Sequence, residues 1–164
     1  MSPDAVRANL ERIRAEVGPD VTIVAATKYV AFEELAALAE AGIEVVGENR
    51  AQDLERKHAE YGDAFRWHFI GHLQSNKAKV VDSLCELVHS LASESAARRL
   101  TIPALVEVNL SGEETKSGVA RADLPGFLAE ANGLAELSMG TTQDYRVAAE
   151  EGATYVRVGS VLFR

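Results

Sequence analysis

Short apolar, β-rich runs alternate with amphipathic helical stretches along almost the whole chain, and nothing else narrows its fold as much. "VTIVAAT" (21–27), "IEVVGEN" (43–49), "FRWHFIG" (65–71), "LCELVHS" (84–90), "PALVEVNL" (103–110), "LAELSMG" (134–140) and "YVRVGSVL" (155–162) read as strands. Between them, Val6, Leu10, Ile13 and Val17 recur at helical spacing, and Gly18-Pro19 ends that helix. Phe32, Leu35, Leu38 and Ala39 share a second helical face, with Gly42 as its cap. Residues 51–60, 75–82, 122–131 and 143–151 supply further helices. Strands separated by helices pair in parallel through right-handed crossovers. Both faces of such a sheet are covered, so its strands are apolar nearly throughout. The residues alone therefore predict one α/β domain over 1–164, an open doubly wound sheet or a barrel. The link from Leu91 to Ile102 barely reaches the ten to twelve or so residues that a helical crossover needs.

Composition excludes several functions. Seventeen basic against 25 acidic residues give a net charge of −8. That balance disfavours broad binding to nucleic acid or to an anionic membrane, since both need a basic surface. No run approaches the roughly 20 apolar residues of a membrane span, and the charged N-terminus lacks a signal core. The single cysteine, Cys85, can form no internal disulfide and reads as a buried structural thiol. A cytoplasmic protein is expected.

In parallel α/β folds, ligands gather at the carboxyl ends of strands. Those ends carry Lys28, Glu48-Asn49, Gly71-His72, His89-Ser90, Asn109, Ser138 to Thr142 and Arg157 to Ser160. Lys28 closes the apolar run "VAATK". It is either an ordinary surface lysine or an amine whose pKa is lowered at the edge of the core, nucleophilic toward carbonyls. "SMGTTQD" and "RVGS" offer hydroxyls and closely approachable backbone N–H groups, suited either to an anion or simply to turns and caps. Arg157, between two valines, needs a partner for a charge that it cannot shed, whether an acidic side chain or a ligand. His68 and His72 lie four apart on a strand and its exit, with no third ligand at a zinc-like spacing, so no metal site is expected. "SGEETKSG" (111–118) does not fit a phosphate loop and reads as solvated.

Together "IVAATKY", "VVGENRAQDLERK", "WHFIGHLQSNKAK", "VEVNLSGEETKSGV", "ELSMGTTQD" and "YVRVGSVLF" resemble the pyridoxal 5′-phosphate (PLP) homeostasis proteins, relatives of the alanine racemase N-terminal barrel. "GEN", "WHFIG-x-LQSNK" and "VRVGS" are the most specific of these segments. The resemblance implies a (β/α)8 TIM barrel that binds PLP as an internal aldimine on Lys28. Ser138, Thr142, Gly159 and Ser160 would hold the phosphate, Arg157 would lie near the pyridine nitrogen, and Asn49 would lie close to the cofactor. At 141–142 the family's methionine and serine are replaced by two threonines, which keeps a hydroxyl at Thr142.

Against the family pattern, residues are missing near Arg98–Thr101, and a longer piece near Asn132–Gly133 would remove strand six. Seven strands are then counted, which leaves unpaired edges at the gap. Either the protein is shortened or these segments are omitted from a longer one. The resemblance implies buffering and delivery of PLP, as a monomer serving PLP-dependent apoenzymes, rather than an enzyme. An arginine at the ring nitrogen weakens the ring as an electron sink. Racemases of this type also take a second base, a tyrosine, from a C-terminal domain for which this chain has no room. A racemase-like PLP enzyme is the runner-up, and an interaction scaffold that has lost its cofactor is a third reading.

Overall fold

The structure, a computed structural model, describes residues 1–109, 119–120 and 136–164. Helix α1 (Pro3–Val17) begins where theory asks. The Ser2 hydroxyl accepts the Ala5 N–H, and Pro3 occupies the first turn, where no N–H is needed. Val6, Leu10, Ile13 and Val17 form its buried face, and Gly18 ends it at φ 88°.

Strands β1 (Thr22–Ala26), β2 (Val45–Glu48), β3 (Arg66–Phe69), β4 (Leu87–Leu91), β5 (Ala104–Val106) and β8 (Tyr155–Val158) form one sheet in the order β5-β4-β3-β2-β1-β8. Every pairing is parallel. A short parallel ladder joins β6 (Val108–Asn109), inside the expected strand 103–110, to β7 (Val119–Ala120), where no strand was expected. Ser138 bridges Tyr155 in parallel and adds a seventh position beside β8. Helices α2 (Leu35–Glu40), α3 (Ala51–Tyr61), α4 (Ala78–Leu84), α5 (Glu94–Ala97), α6 (Tyr145–Glu150) and α7 (Ser160–Phe163) connect or follow the strands.

The sheet curls into an incomplete barrel. Five strand spacings separate Ser138 from β4, about 24 Å if the sheet were flat. Yet the Ser138 hydroxyl lies 2.7 Å from His89 Nδ1 on β4. Strand alternation then sorts the side chains. Ala25, Val46, Trp67, Phe69, Val88, Val156 and Val158 pack outward against the helices in the main core. Val24, Gly47, His68, His89 and Arg157 take the opposite phase and face the lumen.

Two expected boundaries shift. The run 155–162 does not continue as a strand. Gly159 leaves the sheet at φ −126°, ψ −100°, and Ser160–Phe163 wind into α7. Leu162 is thereby fully buried, and Asn9 of α1 donates to the carbonyls of Leu162 (3.2 Å) and Arg164 (2.7 Å). The run 84–90 starts instead at Leu87, because Leu84 ends α4 and the Cys85 N–H closes that helix on Val81 O at 2.9 Å. Cys85 is buried, as expected, and burial pushes its thiol up to about 12.

The short link after β4 closes through one carboxylate. Asp82 of α4 accepts the N–H groups of Thr101 (2.5 Å) and Ile102 (3.0 Å) and the Thr101 hydroxyl (2.9 Å). These bonds hold the Asp82 carboxyl below the usual range. The expected helix 122–131, the loop 111–118, the start of strand 134–140 and the Asn132–Gly133 junction lie outside the described residues. Among the described residues, no helix is long and apolar enough to cross a membrane.

Candidate functional site

A cleft of about 850 Å³ opens at the carboxyl ends of the strands. Its lining includes Lys28, Asn49, Thr142, Arg157, Gly159 and Ser160, so six of the seven residues singled out from the sequence meet in one place. All but Thr142 arrive from a strand or its exit. Lys28 stands two residues beyond β1, Asn49 one beyond β2, Arg157 within β8, and Gly159-Ser160 just after it. Lys28 is exposed, and its ammonium lies 4.8 Å from the centroid of the Tyr29 ring, itself 89% exposed.

The two segments read as anion-binding come together. The Gly159 N–H donates to the Thr142 hydroxyl at 3.1 Å. Asp144 organises the same turn by accepting the Thr141 N–H (2.7 Å) and the Thr141 hydroxyl (3.0 Å). Arg157 supplies the fixed positive charge. Burial lowers its pKa, and the carboxylates of Glu107 and Asp144 oppose that shift. Its Nε is buried without a hydrogen-bond partner among the described residues. Arg157 lines the cleft, and a desolvated guanidinium there is suited to an acceptor carried by a ligand.

Ser138 behaves differently from the other six. It does not line the cleft, and its hydroxyl meets His89 Nδ1. His89 Nε2 in turn lies 2.9 Å from His68 Nδ1, so a Ser138–His89–His68 chain crosses the lumen. The Tyr155 ring packs edge-on against both imidazoles. Burial lowers His68 to about 4 and His89 to about 3, the latter also through His68 and the Arg157 charge. Both rings are therefore neutral at pH 7.

Sequence reasoning placed Gly71 and His89 at strand ends and weighed His68 as a metal ligand, but gave none of them, nor Lys57, a place in the site. Gly71 sits where β3 exits, and a Cβ there would lie 2.1 Å from Asn49 O. Lys57 was read only as part of the helix over 51–60. It is buried with Ala51 and Leu54 on the inner face of α3, and a lysine in register with an apolar stripe was the available signal. His68 and His89 carried a similar signal as polar residues inside apolar strands.

No protein-family model matches the chain. Solved structures do. PipY of Synechococcus elongatus with PLP bound aligns at a TM-score of 0.81 and 27% identity, covering 97% of this chain and 100% of PipY. Alanine racemase from Bartonella henselae, with covalently bound pyridoxal phosphate, aligns at 0.77 over 99% of this chain and 59% of its own, at 12% identity. The chain is thus an incomplete β/α barrel of the alanine racemase N-terminal type, with a cleft at its strand ends.

Sequence relatives narrow this class. A pyridoxal phosphate homeostasis protein of Deinococcus radiodurans is 33% identical over 210 residues, covering 99% of this chain and all of the relative. One from Pseudomonas aeruginosa is 32% identical over 211 residues, covering 96% and 91%. The chain belongs to the pyridoxal phosphate homeostasis protein family. The Pseudomonas alignment runs over 211 positions but takes up 96% of a 164-residue chain, so about fifty positions have no residue here. The shortening expected from the sequence is internal.

Proposed function

We propose that the strand-end cleft binds PLP and that the chain, acting as one barrel domain over 1–164, serves intracellular PLP homeostasis. It holds the cofactor in reserve and passes it to PLP-dependent apoenzymes in the cytoplasm, without substantial catalysis of its own. One observation carries this reading. Arg157, its buried Nε unpartnered among the described residues, shares a cleft with an exposed lysine amine and with a hydroxyl–glycine turn. Those are the complements of a ring acceptor, an aldehyde and a phosphate.

The residues fit the cofactor. When bound, PLP supplies an aldehyde for a lysine amine and a ring able to accept electron density. Lys28 would hold it covalently. Thr142, Gly159 and Ser160 would hold the phosphate, with Gly159 admitting close approach of the backbone. Ser138 belongs to the same segment, and its hydroxyl already bonds to His89 Nδ1. Asn49 would border the ring. Arg157 would donate to the ring nitrogen and leave it unprotonated, which favours storage over carbanion chemistry. The chain is taken to act as a monomer.

An absorbance titration with PLP tests the assignment. Wild type is expected to develop the visible band of lysine-linked cofactor, and Lys28→Ala is expected to lose it. An unchanged band in that variant overturns the covalent assignment. Single-enantiomer amino acids in D2O test the absence of catalysis, since rapid solvent-deuterium exchange at Cα would establish a racemase-like enzyme instead.

Gly159→Ala gives a separate check. An added Cβ would meet nothing closer than Ala26 O at 3.8 Å. Unfolding stability is expected to fall by no more than about 2 kcal/mol. PLP uptake is expected to weaken, and equal uptake by the variant would remove Gly159 from the site.

A further inference from the structure

We infer that Glu48 and Lys57 form a buried positioning pair that fixes the backbone carrying Lys28 and Asn49; the inference rests on the PLP reading of the cleft. Lys57 Nζ, on α3, donates to Glu48 Oε1 at 2.5 Å and to the Thr27 carbonyl at 2.8 Å. The Thr27 hydroxyl donates to the same carboxylate oxygen at 2.6 Å. The Thr27 N–H is also taken, by Gly47 O at 3.0 Å, and the Thr27 carbonyl accepts a second bond from the Val30 N–H at 2.9 Å. Every polar group of Thr27 is thus committed. Its carbonyl belongs to the peptide unit that begins Lys28, so holding that carbonyl fixes the plane from which the lysine side chain departs.

The same carboxylate orients the neighbouring strand end. Glu48 immediately precedes Asn49, and its own carbonyl accepts the Ile70 N–H at 2.8 Å. One ion pair behind the sheet therefore ties the exit of β1 to that of β2, and both exits carry cleft residues.

Stability alone does not account for this arrangement. Glu48 is fully buried and Lys57 is 2% exposed. Desolvating two charges is costly, and apolar replacements of such pairs are often as stable. Glu48 Oε2 is buried with no hydrogen-bond partner among the described residues, so the carboxylate is not fully satisfied by them. What the charges add over apolar packing is direction, a cation aimed at one particular carbonyl. Lys57 and Glu48 do not line the cleft, so they act through Thr27 and Lys28 rather than on a ligand.

The test separates position from integrity. The double variant Glu48→Gln/Lys57→Met removes both charges and keeps their volumes. It is compared with wild type against PLP, which links to a lysine, and against pyridoxine 5′-phosphate, which has the same phosphate and ring but no aldehyde. Lysine-linked PLP uptake, read from the visible band, is expected to weaken about tenfold or more. Affinity for pyridoxine 5′-phosphate is expected to stay within about twofold. Wild-type PLP uptake by the double variant overturns the inference, and so does an equal loss of both ligands. If the double variant fails to fold, Lys57→Arg carries the same comparison, because it keeps the charge but moves its donors. Failure of wild type itself to take up PLP overturns both this inference and the reading on which it rests. Wild-type linkage with no selective loss in the variants overturns the positioning pair alone.

Discussion

Gly71→Ala is expected to destabilise the fold by about 3 kcal/mol and to abolish high-affinity PLP uptake. The methyl group would lie 2.1 Å from Asn49 O and 2.6 Å from Asn49 C and Cα. These are backbone atoms, so no side chain can swing aside to relieve the contact. Either the exit of β2 moves away from that of β3, or Gly71 moves and pulls on Ser90, whose hydroxyl donates to the Gly71 carbonyl. Both routes displace Asn49 from the cleft. Urea unfolding together with PLP titration measures the two effects. A variant with wild-type stability and wild-type uptake would show that the β2 and β3 exits yield more easily than their packing implies.

Acid is expected to weaken the fold well before its carboxylates titrate. His68 and His89 are held neutral by burial, at about 4 and about 3, against an unfolded value near 6.5. Below pH 6.5 the unfolded chain takes up protons that the folded one refuses, so stability falls as pH falls. The stabilisation is complete above about pH 6.5 and is lost progressively down to the folded values. Between pH 7 and pH 5 the loss comes to about 2 kcal/mol per histidine. Denaturant unfolding at the two pH values measures it, and a His68→Leu/His89→Leu variant should flatten the slope. Equal slopes in wild type and variant would place the acid sensitivity elsewhere.

The chain's own pattern announced much of this. Apolar runs bounded by polar exits specified parallel strands, and those exits named most of the cleft, because side-chain chemistry at a strand end is a local property of sequence. Glu48 and Lys57 were harder to read. Their meaning lies in meeting across the layer between β2 and α3, and only the fold creates that meeting. The Ser138–His89 contact was hidden for a related reason, since two residues 49 apart touch only once the sheet curls. The α7 turn was missed because "VGSVL" keeps the composition of a strand. What diverts it is the Gly159 backbone together with the capping side chain of Asn9, which comes from the far end of the chain.

Cys85 makes the molecule its own clock. The lone thiol is buried in the core, and burial pushes its pKa up to about 12, so the native state offers a labelling reagent almost no thiolate. Modification must wait for the segment between α4 and β4 to open. The labelling rate therefore counts local opening events, and slower labelling on addition of PLP would register how far closure of the cleft is felt at the far side of the sheet.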